Sequence, residues 1–150
     1  MRFLLQKVTD GSVTWGDEPA SIIGIGLVVL VGIGAGDQLP DIAYLVQKTL
    51  SLRIFRDPVD NREVSIQDVQ GELLVVSQFT LYADTSKGRR PSFVNAASTS
   101  FAEELFGEVL NKFEASNLVV RTGQFGAQMI LKLSNDGPYT IMMDSVTAHR

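Results

Sequence analysis

A chain of 150 residues, 45% hydrophobic and 20% charged, is large enough to bury a substantial core and too apolar to be a disordered segment. Without cysteine it has no disulfide framework, thiolate nucleophile or Cys-based zinc site, and a reducing compartment suits it. Its net charge of −4 argues against nonspecific coating of nucleic acid, which rests on many Lys and Arg contacts to phosphate.

From the N-terminus, Arg2 precedes Phe3-Leu4-Leu5, but Gln6 and Lys7 end that apolar run too early for a signal-peptide core, so no export is indicated. Phe3 to Thr9 and Ser12 to Trp15 read as strands, with Asp10-Gly11 as a bulge or bend between them. Residues 19–36 carry no charge and approach the length of a membrane span. Glycines divide this stretch into Ile22-Ile23 and Leu27 to Val31, and the β-branched content favours two buried strands over a membrane helix. The second run is apolar at every position, as a strand covered on both faces should be.

Gly32, Gly34 and Gly36 miss the G-x-G-x-x-G spacing of a dinucleotide site. Asp37 reads as the N-cap of a helix that has Pro40 in its first turn and Ile42, Leu45, Val46 and Leu50 as its apolar stripe. Residues 53–64, with Asp57-Pro58 and Asp60-Asn61, suit an exposed connection. Leu73 to Val76 repeat the central-strand pattern and run into Ser77-Gln78-Phe79-Thr80-Leu81. Lys87-Gly88-Arg89-Arg90-Pro91-Ser92 is a basic loop, a solvated charge run in its plainest reading. A second helix is expected from Ser100, capped by that residue with Glu103, and burying Leu105, Phe106, Val109, Leu110 and Phe113. Leu118 to Val120 and Met129 to Ser134 supply further strands. The order of elements predicts one domain over residues 1–150, of α/β class, with a mixed sheet and two helices packed on one side.

Two stretches stand out for chemistry. Ser77, Gln78 and Thr80 end a buried strand, where α/β proteins gather ligand groups, and the Phe79 and Thr80 amides can stabilise an oxyanion. Thr80 has little case as a nucleophile, because the single histidine, His149, sits at the chain end. Asn135-Asp136-Gly137-Pro138-Tyr139-Thr140 places Gly-Pro between two strand-like runs, as an ordinary turn or as a cis Gly-Pro bond that redirects the neighbouring carbonyls.

Together these stretches resemble the paired signatures of the D-aminoacyl-tRNA deacylase family. Leu52-Arg53-Ile54-Phe55, Gly88 to Phe93, and Phe125-Gly126-Ala127 with Met129 fall in the same order, so the resemblance spans essentially the whole chain. It implies that family's fold and a cytoplasmic homodimer that hydrolyses the ester between a D-amino acid, or glycine, and the 3′ end of tRNA. Ser77, Gln78, Phe79 and Thr80 would form the catalytic floor, with Ala96 and Met129 at the substrate. Asn135 would also bind substrate, and Gly137 and Pro138 would reach the partner subunit's pocket, where their carbonyls exclude L side chains. Lys87, Arg89 and Arg90 become candidates for tRNA phosphate contacts. The chemistry would rely on the terminal ribose 2′-hydroxyl, with no metal or cofactor. Tyr139 departs from the smaller aliphatic residue expected after Gly-Pro; it reads as a strand-starting aromatic with its hydroxyl at the surface. The rival readings are a tRNA-binding dimer without catalysis and an RNA-independent hydrolase of small esters or amides.

Overall fold

The computed structural model describes residues 1–146; His149 lies outside them. The elements in order are β1 (Arg2–Trp15), β2 (Ser21–Ile23), β3 (Gly26–Gly32), α1 (Leu39–Ser51), β4 (Phe55–Arg56), β5 (Glu63–Val64), β6 (Glu72–Ser77), α2 (Thr99–Glu114), β7 (Val120–Thr122) and β8 (Met129–Asp144), with a 3-10 turn at Phe79–Tyr82. Six strands form one mixed sheet, in which β3, β6 and β7 are parallel neighbours and β1 runs antiparallel to β2, β3 and β8. Helices join the parallel strands, as parallel connections require.

Alternation along the strands divides the interior in two. Phe3, Leu5, Leu27, Val29, Val31, Leu73 and Val75 face α1 and α2, meeting Ile42, Leu45, Val46, Leu105, Phe106, Val109 and Phe113. Val28, Leu74 and Val76 face the other way, against Val8, Val13 and Ile23. The sheet therefore curls, so that the second half of β1 lies over the back of β3 and β6. Register shifts on either side of Val8 mark the bend. The strand expected over Leu27 to Val31 is thus covered on both faces, and both helices do pack on one side. No helix among the described residues is long and apolar enough to cross a membrane.

Several expectations need correction. β1 is one continuous strand rather than two; the expected bulge lies between Val8 and Asp10 against β8, and β2 and β8 pair with Gly11 from both sides. Asp37 is not the α1 cap. Gln38 takes that position, its N–H donating to Asp41 Oδ2 at 2.8 Å, while Asp37 is buried as counter-ion to the Met1 ammonium. A buried ammonium without a carboxylate would cost more than a cap contributes. Residues 53–64 contain the β4–β5 hairpin, which buries Ile54, Phe55 and Val64 around an exposed tip. α2 follows Ser98, without the Ser100 cap, because Ala97 N–H donates to the Ile33 carbonyl at 2.9 Å and holds the chain extended up to that point. β7 begins at Val120 rather than Leu118, after Asn117 with φ of 62°.

The largest difference concerns Asn135 to Thr140, which is not a turn between two strands. β8 runs through it in one direction along β1, and Asp136 to Tyr139 stand opposite Lys7 alone. The Gly-Pro pair is the crest of a bulge in a long edge strand, and its peptide bond is cis.

Candidate active site

The site begins where β3 and β6 end. Val31 is in register with Ser77, and Gln78 N–H donates to the Val31 carbonyl at 2.7 Å, after which the chain leaves the sheet into the 3-10 turn. The first amides of a helical turn have no acceptor within it. Among the described residues the Phe79 and Thr80 N–H groups meet no hydrogen-bond acceptor, whereas Leu81 and Ala83 N–H donate to the Gln78 and Thr80 carbonyls. Two amides are thereby without an acceptor, an arrangement that can polarise a carbonyl oxygen.

Two glycines allow the turn to sit so low on the strand ends. A Cβ on Gly32 would lie 2.9 Å from Leu81 Cβ, and one on Gly34 would lie 2.7 Å from the Tyr82 hydroxyl. The glycines that failed as a dinucleotide motif serve close packing instead. Gly34 also bridges to Ala96, supported by Ala35 N–H donating to the Asn95 carbonyl at 3.3 Å and Ala96 N–H donating to the Phe93 carbonyl at 2.9 Å. Phe93 returns to the turn, its ring centroid 4.9 Å from that of Phe79 in an edge-on arrangement. Phe79 is still 57% exposed, a large apolar surface at the mouth of the site.

Ser77, Gln78, Phe79, Thr80 and Ala96 are therefore gathered at one place. Gln78 Nε2 donates to Thr80 Oγ1, which fixes both side chains. Met129 pairs with Trp15 and packs in the second core, in the cluster that includes Val76. Beneath the turn, the Asp37 carboxylate accepts from the Met1 ammonium, from Gly34 N–H at 2.6 Å and from the Tyr82 hydroxyl at 3.4 Å. Burial, followed by the negative charge of Asp37 and Asp144, pushes the Tyr82 phenol well above its ordinary value; Arg2 opposes the shift. Tyr82 is thus a neutral donor.

Lys87, Arg89 and Arg90 occupy an exposed loop closed by Asp84 and Ser92, which exchange backbone hydrogen bonds of 2.8 and 2.9 Å. Its stem follows Tyr82 and leads into Phe93, so the loop is tethered to the 3-10 turn at both ends.

Asn135, Gly137 and Pro138 are elsewhere. Ser77 is level with Val31 and Phe3, and the bulge is beside Lys7, a displacement of about 13 Å along β1 and about 14 Å across the sheet. Gly137 and Pro138 are exposed, and a Cβ on Gly137 would touch nothing within 4 Å. The bulge is nonetheless firmly held. Asn135 Nδ2 donates to the Lys7 carbonyl at 2.9 Å, and Lys7 Nζ pairs with Asp136 at 2.8 Å. The same ammonium lies over the rings of Phe55 and Tyr139, at 5.3 and 5.5 Å from their centroids. Tyr139 is half-buried against the main core, more than a strand-starting aromatic at the surface. Lys7 and Tyr82 are not singled out by the sequence, and Asp37 reads there only as a helix cap, since each acquires its role from partners distant in the chain.

The fold is α/β, and a turn of free amides at the carboxyl ends of its parallel strands is a geometry that can bind and polarise a carbonyl group. The chain belongs to the D-Tyr-tRNA(Tyr) deacylase family, whose model matches residues 4–144. Similar proteins, each named D-aminoacyl-tRNA deacylase, include one from Clostridium botulinum (strain Alaska E43 / Type E3) at 48% identity over 145 residues, 97% of each chain. Another is from Bacillus licheniformis, also 48% identical over 97% of this chain and 99% of its own. Among solved structures, one titled c-Myc DNA Unwinding Element Binding Protein is 38% identical, with a TM-score of 0.88 over 96% of this chain and 98% of its own. A probable eukaryotic D-amino acid tRNA deacylase, 18% identical, shares the fold at a TM-score of 0.83 over 95% and 97%.

Proposed function

We infer that this chain is a D-aminoacyl-tRNA deacylase. It hydrolyses the ester that joins a D-amino acid to the 3′ end of tRNA, releasing the free amino acid and tRNA. The observation that carries the site assignment is the pair of unpartnered amides at Phe79 and Thr80, set beside Ala96 on the Gly34 bridge. The scissile carbonyl oxygen lies against these amides, which stabilise the charge it gains when water attacks the carbonyl carbon. The carbon–oxygen bond to the ribose then breaks, and the 3′-oxygen takes a proton. Thr80 Oγ1 accepts from Gln78 Nε2, and, as the family resemblance implies, the neighbouring 2′-hydroxyl of the ribose assists the attack rather than a side-chain nucleophile. Ala96 receives the substrate amine.

The working unit is a homodimer of the single domain 1–150. Gly137 and Pro138 stand exposed on a braced bulge, too far from their own Ser77 to line its pocket. They line the partner's, where their carbonyls leave no room for an L side chain. Exclusion of this kind tolerates many D residues, and glycine, having no side chain, is accepted as well. Lys87, Arg89 and Arg90 hold tRNA phosphates beside the pocket, and the enzyme acts in the cytoplasm.

A D-tyrosyl-tRNA ending in 3′-terminal 2′-deoxyadenosine tests the ribose-assisted mechanism. It should resist cleavage while still competing for binding. Full cleavage of this substrate, or turnover of small esters without RNA, would replace ribose assistance with a general esterase mechanism. Binding of ordinary D-tyrosyl-tRNA without cleavage would leave a non-catalytic tRNA-binding dimer.

A further inference from the structure

Arg2 opens β1 at the place where the active-site turn meets the sheet. Its backbone is paired with Gly32 on one side and Asp144 on the other. Its guanidinium donates twice, from Nε to Asp144 Oδ2 at 2.9 Å and from Nη1 to the Leu81 carbonyl at 2.8 Å. The guanidinium carbon also stands 4.6 Å from the centroid of the Tyr82 ring.

These contacts converge on one end of the 3-10 turn. Carbonyls at the end of a helical turn point outward and favour a cation. Leu81 is the residue pressed onto Gly32, and Tyr82 is the one packed on Gly34. The strand ends support the turn from below, and Arg2 holds its rim from the side. The free amides of Phe79 and Thr80 lie at the other end of the same short turn, so a rotation of Leu81 is transmitted to them through the Leu81 N–H bond to the Gln78 carbonyl.

We propose that Arg2 is a positioning residue for deacylation, fixing through the Leu81 carbonyl and the Asp144 carboxylate the turn whose amides hold the scissile carbonyl. This rests on the assignment of Ser77 to Thr80 as the reaction site. Asp144 locks the fork of Arg2 in place and Tyr82 gives it a face to lie on. A lysine retains the charge but not the two diverging donors, so charge alone does not reproduce the role. Arg2 acts on the turn and not on tRNA, so its loss appears in kcat and not in affinity or salt dependence.

The test is deacylation of D-tyrosyl-tRNA by the full chain carrying Arg2→Gln, Arg2→Lys, Asp144→Asn, or Arg2→Gln with Asp144→Asn. Each is assayed for kcat and KM at two salt concentrations, well below its melting temperature. Arg2→Gln should lower kcat about tenfold, with KM within about twofold of the parent and an unchanged salt response. Arg2→Lys should recover part of the loss, Asp144→Asn should fall between, and the double variant should be no slower than Arg2→Gln. A kcat for Arg2→Gln within twofold of the parent overturns the proposal. So does an effect confined to KM and its salt dependence, which would make Arg2 a phosphate contact. Ala96→Phe, which fills the assigned pocket, separates the two levels. If Ala96→Phe is inactive while Arg2→Gln is unaffected, positioning fails and the site stands. If a folded Ala96→Phe retains full activity, the site assignment fails and the proposal falls with it.

Discussion

Gly32→Ala tests how the proposed active-site turn is seated. The added methyl would lie 2.9 Å from Leu81 Cβ and 3.3 Å from the Gln78 carbonyl oxygen, where ordinary contact begins at 3.4 Å. Both neighbours are backbone or the first side-chain atom, so no flexible side-chain end can yield. The turn must rise by about 0.5 Å or more, carrying the Phe79 and Thr80 amides with it. Overpacking of this kind costs about 1–3 kcal/mol of stability. Because a misplacement of about 1 Å can cost about a hundredfold in rate, a shift half as large should lower kcat by about tenfold. The assay is single-turnover deacylation of D-tyrosyl-tRNA at saturating enzyme, with melting followed in parallel. Gly36→Ala is the control: its Cβ would meet nothing within 4 Å, and activity should be unchanged. A Gly32→Ala enzyme as fast as the parent would refute the seating of the turn on β3.

Three further outcomes follow from the geometry. Lys7→Met removes the pair with Asp136 and the ammonium from between Phe55 and Tyr139; a loss of about 1–2 kcal/mol should lower Tm by about 2–8 °C, and an unchanged Tm would mean that the bulge is braced by other contacts. Tyr82 keeps its proton more firmly folded than unfolded, so its contribution is full below about pH 10 and declines as pH rises above that value. The parent's Tm should therefore fall more steeply above about pH 10 than that of Tyr82→Phe, and equal slopes would contradict this. Replacing Lys87, Arg89 and Arg90 together by alanine should weaken tRNA binding and flatten the plot of log affinity against log salt by about 2–3 in slope; an unaltered slope would remove the loop from the RNA interface.

Local pattern made much of the fold legible. The all-apolar runs at Leu27 to Val31 and Leu73 to Val76 are the two central parallel strands, and the stripes of both helices face one core. Ser77 to Thr80 could be picked out because polar residues end a buried strand. What the sequence concealed depends on register and on distant charges. Asp37 looks like a cap until the Met1 ammonium is found against it. Asn135 to Thr140 looks like a hairpin turn because a Gly-Pro bulge and a turn share a composition; only pairing of both flanks with the same strand in the same direction separates them. Arg2 and Asp144 lie at opposite ends of the described chain, and no periodicity predicts that they share one hydrogen bond beside the 3-10 turn.

The central claim is stereochemical, and deacylation of matched D- and L-tyrosyl-tRNA tests it most directly. Catalytic amounts of the full chain are added with chelator present, and spontaneous hydrolysis is subtracted. Loss of the D ester alone is the expected result. Equal cleavage of both esters would leave an esterase without the Gly137-Pro138 filter, and cleavage of neither would contradict the deacylase assignment itself.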